Sequence, residues 1–314
     1  MAAALAGVQV GAAIVATRFV IDQTGPASLG MMRYLIGALF LLPFVLASRN
    51  LRFARRDLVP IALLGIVQFG VTIVCLNFGL RYVPSARAAL ILATFPLLVM
   101  LLAALWGRER MTGTKSFGVT LTVLGVAVAL GERALTAETT PSEWIGAVAV
   151  FLAALFGAGC SVLYRPYLRR YSTLPIGFFA MTASVMFLAA SAWFEGMFTR
   201  PLHITATGWV AVGFIGISSG VGYFLWLWAL NHTTPTRVTV FLGLSPVTAA
   251  ILGAVLLGET VTPATLGGLG FILIGLWLTQ RPATLPDDLT TEPPTLAEIR
   301  HEDGTRRPPM PPPT

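Results

Sequence analysis

Charge is scarce in this chain, and lysine is almost absent. Of 314 residues only 11% are charged, and Lys115 is the sole lysine; a soluble domain carries about 25% charged residues. With 55% hydrophobic residues and a mean hydropathy of +0.78, one soluble core cannot hide the apolar surface, and a bilayer is the solvent that fits. Cysteine is nearly lacking too. Cys75 and Cys160 both fall inside apolar runs, which excludes a disulfide framework, a C-x-x-C pair or a cysteine metal cluster. No metal or other cofactor is expected. No Asp, Glu or His stands in the middle of an apolar run. Proton-driven carriers usually keep such a group in the membrane, so uniport, exchange and coupling at a membrane edge all stay open.

What is present is a hydrophobic unit written twice. Residues 84–112 and 235–262 align at an offset of 150 positions. Arg87 then falls on Arg237, Pro96 on Pro246, Glu109 on Glu259 and Thr112 on Thr262. Beyond the stretch, Gly70 falls on Gly220, Gly118 on Gly268, Gly125 on Gly275 and Gln68 on Ser218. A duplicated unit of membrane-spanning length is a pattern that transporters use.

Ten apolar runs are read along the chain, at 2–20, 27–47, 59–80, 85–106, 114–130, 142–163, 173–194, 207–230, 236–257 and 262–280. Most are near the ~20 residues that cross the hydrocarbon core, and backbone groups in lipid must be paired internally, so the runs are helices. The fold class is all-α integral membrane, ten transmembrane helices in two inverted five-helix repeats. The repeats cover 1–133 and 142–281. The counterpart of Ser142 would lie before Met1, so the first helix is short, and no cleavable signal is evident, because residues 2–17 lack a basic flank.

The net charge of +7 does not point to nucleic acid, because the basic residues sit in short loops between apolar runs. Twelve of them, among them Arg49, Arg52, Arg55 and Arg56 and then Arg165, Arg169 and Arg170, fall on one side, against five on the other. The positive-inside pattern puts both termini in the cytoplasm. An odd number of spans per copy then inverts the second copy. Residues 282–314 are rich in Pro and polar residues and read as a disordered cytoplasmic tail.

Several residues could carry chemistry. Pro96 and Pro246 lie near the centres of the fourth and ninth runs, each freeing a carbonyl four residues back, at Leu92 and Leu242; they read as hinges or as packing kinks. Arg33, about two turns into the second run, is a contact for an anion or carboxylate, or a side chain that snorkels to headgroups. Arg87 and Arg237 begin equivalent helices and are gates or interface anchors. Glu109 and Glu259 close the same helices and are expected to cap the helix that follows. Gln9, Gln68, Thr94, Ser218, Ser219, Tyr223 and Ser245 are the polar set for a substrate cavity, although any single Ser or Thr is more often satisfied by its own helix. The sequence Gly216-Ile217-Ser218-Ser219-Gly220 matches the G-x-S-x-G of serine hydrolases. It lies inside an apolar run with His232 about 21 Å further along a helix, so no enzyme is read from it.

These features together resemble the EamA-type transporters of the drug/metabolite transporter superfamily. The resemblance rests on two five-span copies, on Arg33 early in the second span and on the block from Phe78 to Glu109. That block holds Pro84, Ser85 and Ala86, then Ala88, Ala89 and Leu90, the mid-helix Pro96 and the closing Glu109; the second copy keeps Pro246, Gly258 and Glu259. The resemblance implies a polytopic inner or plasma membrane secondary transporter that exports or exchanges small metabolites or drugs by alternating access, with a small-molecule substrate as its partner. Membrane lipids and a homodimer partner are separate expectations, and the sequence does not name the oligomeric state. The family's first span often carries a Trp-Gly pair followed by small polar residues. Here Val10 precedes Gly11, and Ala12, Ala13 and Ile14 follow, so a more apolar site is expected, with Gln9 as its remaining donor. The alternative is a polytopic receptor or scaffold signalling through its C-terminal tail, which has no need of two matching halves.

Overall fold

The computed structural model describes residues 2–48, 53–107, 113–135, 140–232 and 244–279. Arg237, Glu109 and the expected tail at 282–314 lie outside these residues, and the side chain of Tyr223 is likewise not described. Among the described residues the elements are helical and none is a strand. In chain order they are α1 (Ala2–Val20), a short 3-10 turn (Ile21–Gln23), α2 (Pro26–Ala47), α3 (Arg55–Gly65), a π-helical turn (Ile66–Val71), α4 (Thr72–Tyr82), α5 (Ser85–Leu92), α6 (Phe95–Leu105), α7 (Gly113–Leu135), α8 (Pro141–Leu168), α9 (Thr173–Phe194), α10 (Ala206–His232), α11 (Leu244–Leu257) and α12 (Pro263–Thr279). Five stretches are long and apolar enough to cross a membrane: Pro26–Ala47, Arg55–Tyr82, Ser85–Leu105, Pro141–Leu168 and Thr173–Phe194. Four further apolar helices are shorter in their described parts.

Two runs are interrupted: that at 59–80, read from the sequence as one helix, and that at 85–106, read as broken near its middle by Pro96. At 59–80 the helix passes through the π turn, where the N–H of Thr72 bonds the Val67 carbonyl five residues back. At 85–106 it breaks between α5 and α6. The N–H of Ala93 is shared between Ala89 and Leu90, and Thr94 closes a tight turn onto Ile91 at 3.0 Å. Pro96 stands in the first turn of α6, where its missing N–H costs least. The proline therefore starts a new helix instead of kinking an old one.

The core lies where α2, α3, the π turn and α9 meet, with Leu29, Ile61, Phe69, Ile176, Met181 and Leu188 buried. α2 packs against α9 and α10, α9 also against α3, α1 against α10 and α11, α8 against α4, α5 and α6, and α7 against α12. Glycine permits the closest approaches. A Cβ at Gly125 would lie 2.7 Å from the Gly268 carbonyl, and one at Gly275 would lie 2.6 Å from that of Gly118. The outward faces are apolar, with Leu46, Met186, Val210 and Val255 all more than two-thirds exposed. Such faces suit hydrocarbon and not water.

The helix ends are tied across the sequence. At one end of the bundle the Glu195 carboxylate accepts from the N–H groups of Ala27 (2.9 Å) and Ser28 (2.8 Å) and from the Ser28 hydroxyl (2.7 Å). It thus caps α2 with a negative charge at the positive end of the helix. The Gln23 amide oxygen accepts from Thr205 N–H at 2.9 Å, and Arg81 reaches the Thr24 carbonyl at 2.8 Å. At the other end Asp57, in the first turn of α3, accepts from the Tyr171 hydroxyl at 2.6 Å and lies 3.7 Å from Arg170. Replacing Glu195 by Ala should lower folded-state stability by about 0.5–2 kcal/mol, the usual value of a lost cap, read as a reduced midpoint of thermal unfolding in detergent. Unchanged unfolding would mean the cap is idle.

Candidate functional site

The α2–α10 contact is a close approach near the polar residues. Gly37, Gly216 and Gly220 face one another: a Cβ at Gly37 would lie 3.2 Å from the Gly216 carbonyl, and one at Gly220 would lie 2.9 Å from that of Gly37. This brings Arg33, one turn from Gly37, against α10. Its Nε donates to the Ser219 hydroxyl at 2.5 Å, and that hydroxyl donates to the Ile215 carbonyl at 2.6 Å. The guanidinium carbon lies 5.6 Å from the centre of the Tyr34 ring, a cation–π distance. Among the described residues the terminal amino groups of Arg33 have no protein partner. A guanidinium stays charged at any relevant pH and offers a planar fork that matches a carboxylate.

The neighbouring serine completes a second contact. Gln9 on α1 donates to the Ser218 hydroxyl at 2.8 Å and also to the Ser218 carbonyl. The structure therefore gathers Gln9, Arg33, Ser218 and Ser219, expected from the sequence, at the meeting of α1, α2 and α10. Ser245 is buried on α11 beside Gly11, whose Cβ would lie 2.5 Å from the Ser245 carbonyl.

Other residues of the expected set stand elsewhere. The Thr94 hydroxyl donates to the Ile91 carbonyl at 2.6 Å; it is occupied by its own turn. Arg87 is buried and pairs with Glu143 at 3.3 Å. Glu143 lies in the first turn of α8, capped by Thr140 with Pro141 at its first position. Glu259 was expected to cap the helix after it, but that start is capped by Thr262, whose hydroxyl accepts from Thr265 N–H at 3.2 Å. The Glu259 carboxylate instead accepts from Ser85 N–H at 2.9 Å and from the Ser85 hydroxyl. Gly258 makes this possible. Its φ of 65° is a left-handed backbone that favours glycine, and it turns the chain so that Glu259 N–H bonds back to the Gly253 carbonyl at 3.1 Å. Pro246 lies in the first turn of α11, after residues that are not described.

Gln68 falls in the π turn, with its amide nitrogen near Gly157 of α8. Its amide oxygen is buried and has no protein partner. Sequence reasoning missed Thr72, one turn on, whose buried hydroxyl is also without a partner; nothing in the apolar run marks the π turn that leaves it so. It also missed Tyr34, whose ring meets Phe69 edge-on at 4.9 Å, so that Arg33 and Gln68 flank one aromatic pair along the chain.

Comparison with known proteins bears on this site. The family model described as "EamA-like transporter family" matches residues 1–131 and 144–281. A "probable terminal-alkyne amino-acid exporter" of Streptantibioticus cattleyicolor is 31% identical over 271 residues, covering 85% of this chain and 88% of that protein. A "probable amino-acid metabolite efflux pump" of Salmonella typhimurium is 27% identical, over 72% of this chain and 79% of its own. A solved crystal structure at 20% identity superposes with a TM-score of 0.67, covering 88% of this chain and 95% of its own, which supports the fold alone.

A bulkier residue at the glycine contact should dismantle the arrangement. Gly220→Val is expected to part α2 from α10, with a cost of about 1–3 kcal/mol as for other overpacked contacts, and to lower the thermal midpoint of the purified protein. A wild-type midpoint would show that the two helices are not held this closely.

Proposed function

The chain belongs to the EamA-like transporter family, and we propose that it exports or exchanges a small carboxylate-bearing metabolite of the amino-acid kind by alternating access. The observation that carries this is Arg33: oriented through Nε by Ser219, backed by the Tyr34 ring, and with its terminal amino groups uncommitted. An intramembrane guanidinium that spends only one donor on the protein is suited to take an anion with the rest. The relatives named for amino-acid export fit the same chemistry. Gln9, Ser218 and Ser219 are the polar side of this site.

The packing supports ten spans in two inverted repeats. The 150-residue offset exchanges α2 with α9 and α7 with α12, and each of these helices lies against its own counterpart. The same offset exchanges the contact of Gly125 with Gly268 for that of Gly275 with Gly118, and the contact of Gly70 with Phe187 for that of Gly220 with Gly37. Such pairs are what a two-fold axis in the membrane plane requires. Rocking of the halves about Pro96 and Pro246 would alternate access. Arg56 and Arg170 gather at the bundle end opposite Glu195, which favours placing that end, and both termini, in the cytoplasm.

Two measurements test the reading. Arg33→Gln should weaken binding of small amino acids by about tenfold or more, the value of a charge-assisted hydrogen bond, with unchanged amounts of protein in the membrane. Equal ligand-induced stabilisation in wild type and variant would remove Arg33 from the site. Deletion of residues 282–314 should leave transport intact; its loss would favour a receptor or scaffold acting through the tail.

A further inference from the structure

The helices pack in two groups that cut across the sequence halves. α1 lies against α10 and α11, and α2 against α10; α8 lies against α4, α5 and α6, and α9 against α3. At the 150-residue offset α1 exchanges with α8, α2 with α9, the stretch 55–82 with α10, and the stretch 85–107 with 235–257, which ends in α11. The group of α1, α2, α10 and α11 is therefore the counterpart of the group of α3 to α6, α8 and α9. Each takes helices from both halves of the chain.

Four polar ties join the two groups, and all four stand at one end. The Glu195 carboxylate, just after α9, holds the N–H groups that start α2. The Glu259 carboxylate, just after α11, holds the Ser85 N–H at 2.9 Å and the Ser85 hydroxyl at the start of α5. Asn77 of α4 donates to the Pro26 carbonyl at 2.8 Å, and Arg81 of α4 donates to the Thr24 carbonyl at 2.8 Å. The ties described at the opposite end stay within one group: the Tyr171 hydroxyl joins α3 through Asp57 and through the Ala54 N–H.

Two identical copies about a two-fold axis would close either end equally well. Here the counterparts lack the chemistry. At the offset Glu195 corresponds to Val45, Ser85 to Pro235, Asn77 to Leu227 and Arg81 to Asn231. Valine and leucine have no polar group, proline has neither N–H nor hydroxyl, and asparagine carries no charge. Closure at the Glu195 end also leaves Thr24 Oγ1 and Asn77 Oδ1 buried without a partner. Unpaired buried oxygens are costly, and water would reach these two if the end parted, so the ties work against a built-in tendency to open.

We propose that the Glu195 and Glu259 carboxylates form a one-ended latch between the two groups, and that the empty transporter rests closed at that end. This rests on the alternating-access reading and makes the two mixed groups the bodies that rock. With the orientation favoured above, the resting protein is closed to the outside and waits for its substrate from the cytoplasm. The latch sets where the empty protein waits; gradients decide the direction of net transport.

The test uses the full chain in lipid nanodiscs, with Cys75 and Cys160 replaced by Ala and spin labels on pairs of introduced cysteines. Thr207→Cys with Trp144→Cys spans the groups at the Glu195 end, and Leu46→Cys with Arg169→Cys spans them at the opposite end; all four positions are exposed. Without ligand, the wild-type latch should give one short distance at the Glu195 end. Glu195→Ala with Glu259→Ala should add a longer distance there and a shorter one at the opposite end, the closed-to-open ratio falling about tenfold for each carboxylate lost. Glu259→Ala alone, which leaves α2 capped, should give the same change to a smaller degree. Thr24→Val, which removes an unpaired oxygen and no tie, should leave the end closed; equal opening in this variant would show that any change parts the end, and would overturn the latch. Unchanged distances with a lower unfolding midpoint in the carboxylate variants overturn the latch alone: the carboxylates then serve the fold, and alternating access stands. Lengthening at the Glu195 end with no shortening at the other is fraying, and overturns the latch and the alternating-access reading together.

Discussion

Hydrocarbon offers a backbone no hydrogen bonds, and this constraint governs where the chain may depart from an α-helix. Among the described residues it departs twice within its runs, and both departures are walled by protein. The π turn Ile66–Val71 lies against α8, α9 and α2, with Phe69 and Gly70 buried. The break between α5 and α6 is buried at Ala93 and Thr94, and its hydrogen bonds are re-formed within the turn. Regular helices here occupy several of their own buried hydroxyls, as at Thr17, Thr122 and Ser161, whereas the Thr72 hydroxyl at the end of the π turn has no partner. Irregular backbone of this kind is tolerated where neighbours are close.

Close neighbours in turn require glycine. Gly37 with Gly216 and Gly220 lets α10 approach α2, and only at that spacing does Ser219 hold Arg33. The bilayer tolerates the charge because the guanidinium is partly sheltered, has one fixed hydrogen bond and lies over an aromatic ring. The glycine contact and the Arg33 guanidinium are thus parts of one arrangement.

Much of this was legible in the sequence because it is written in residue types. Low charge and long apolar runs point to a membrane; prolines, glycines and glutamates that recur at one offset are what suggest two copies of one unit; Arg33 and the sparse polar residues stand out against an apolar background. What was not legible depends on the third dimension. The run around Ile66–Val71 contains no proline, so nothing in its composition announces a π turn, and Thr72 reads as one more self-satisfied hydroxyl. Pro96 signalled a break, but whether it bends one helix or begins another depends on the two residues before it, Ala93 and Thr94, closing their own turn. Glu259 was read by the local rule that a cap serves the adjacent helix. Its partner, Ser85, is 174 residues away, a separation that only packing can bridge.

The cap that Glu195 places on α2 runs in one direction. The residue 150 positions before Glu195 is Val45, and the residue 150 positions after Ser28 is Phe178, so no return cap exists at the matching site. The tie is therefore directional, like a plug and its socket: a residue just after α9 gives the carboxylate and only the start of α2 receives it. Cutting the chain between α2 and α9 would leave one fragment with an uncapped helix start and the other with a carboxylate that has lost its donors.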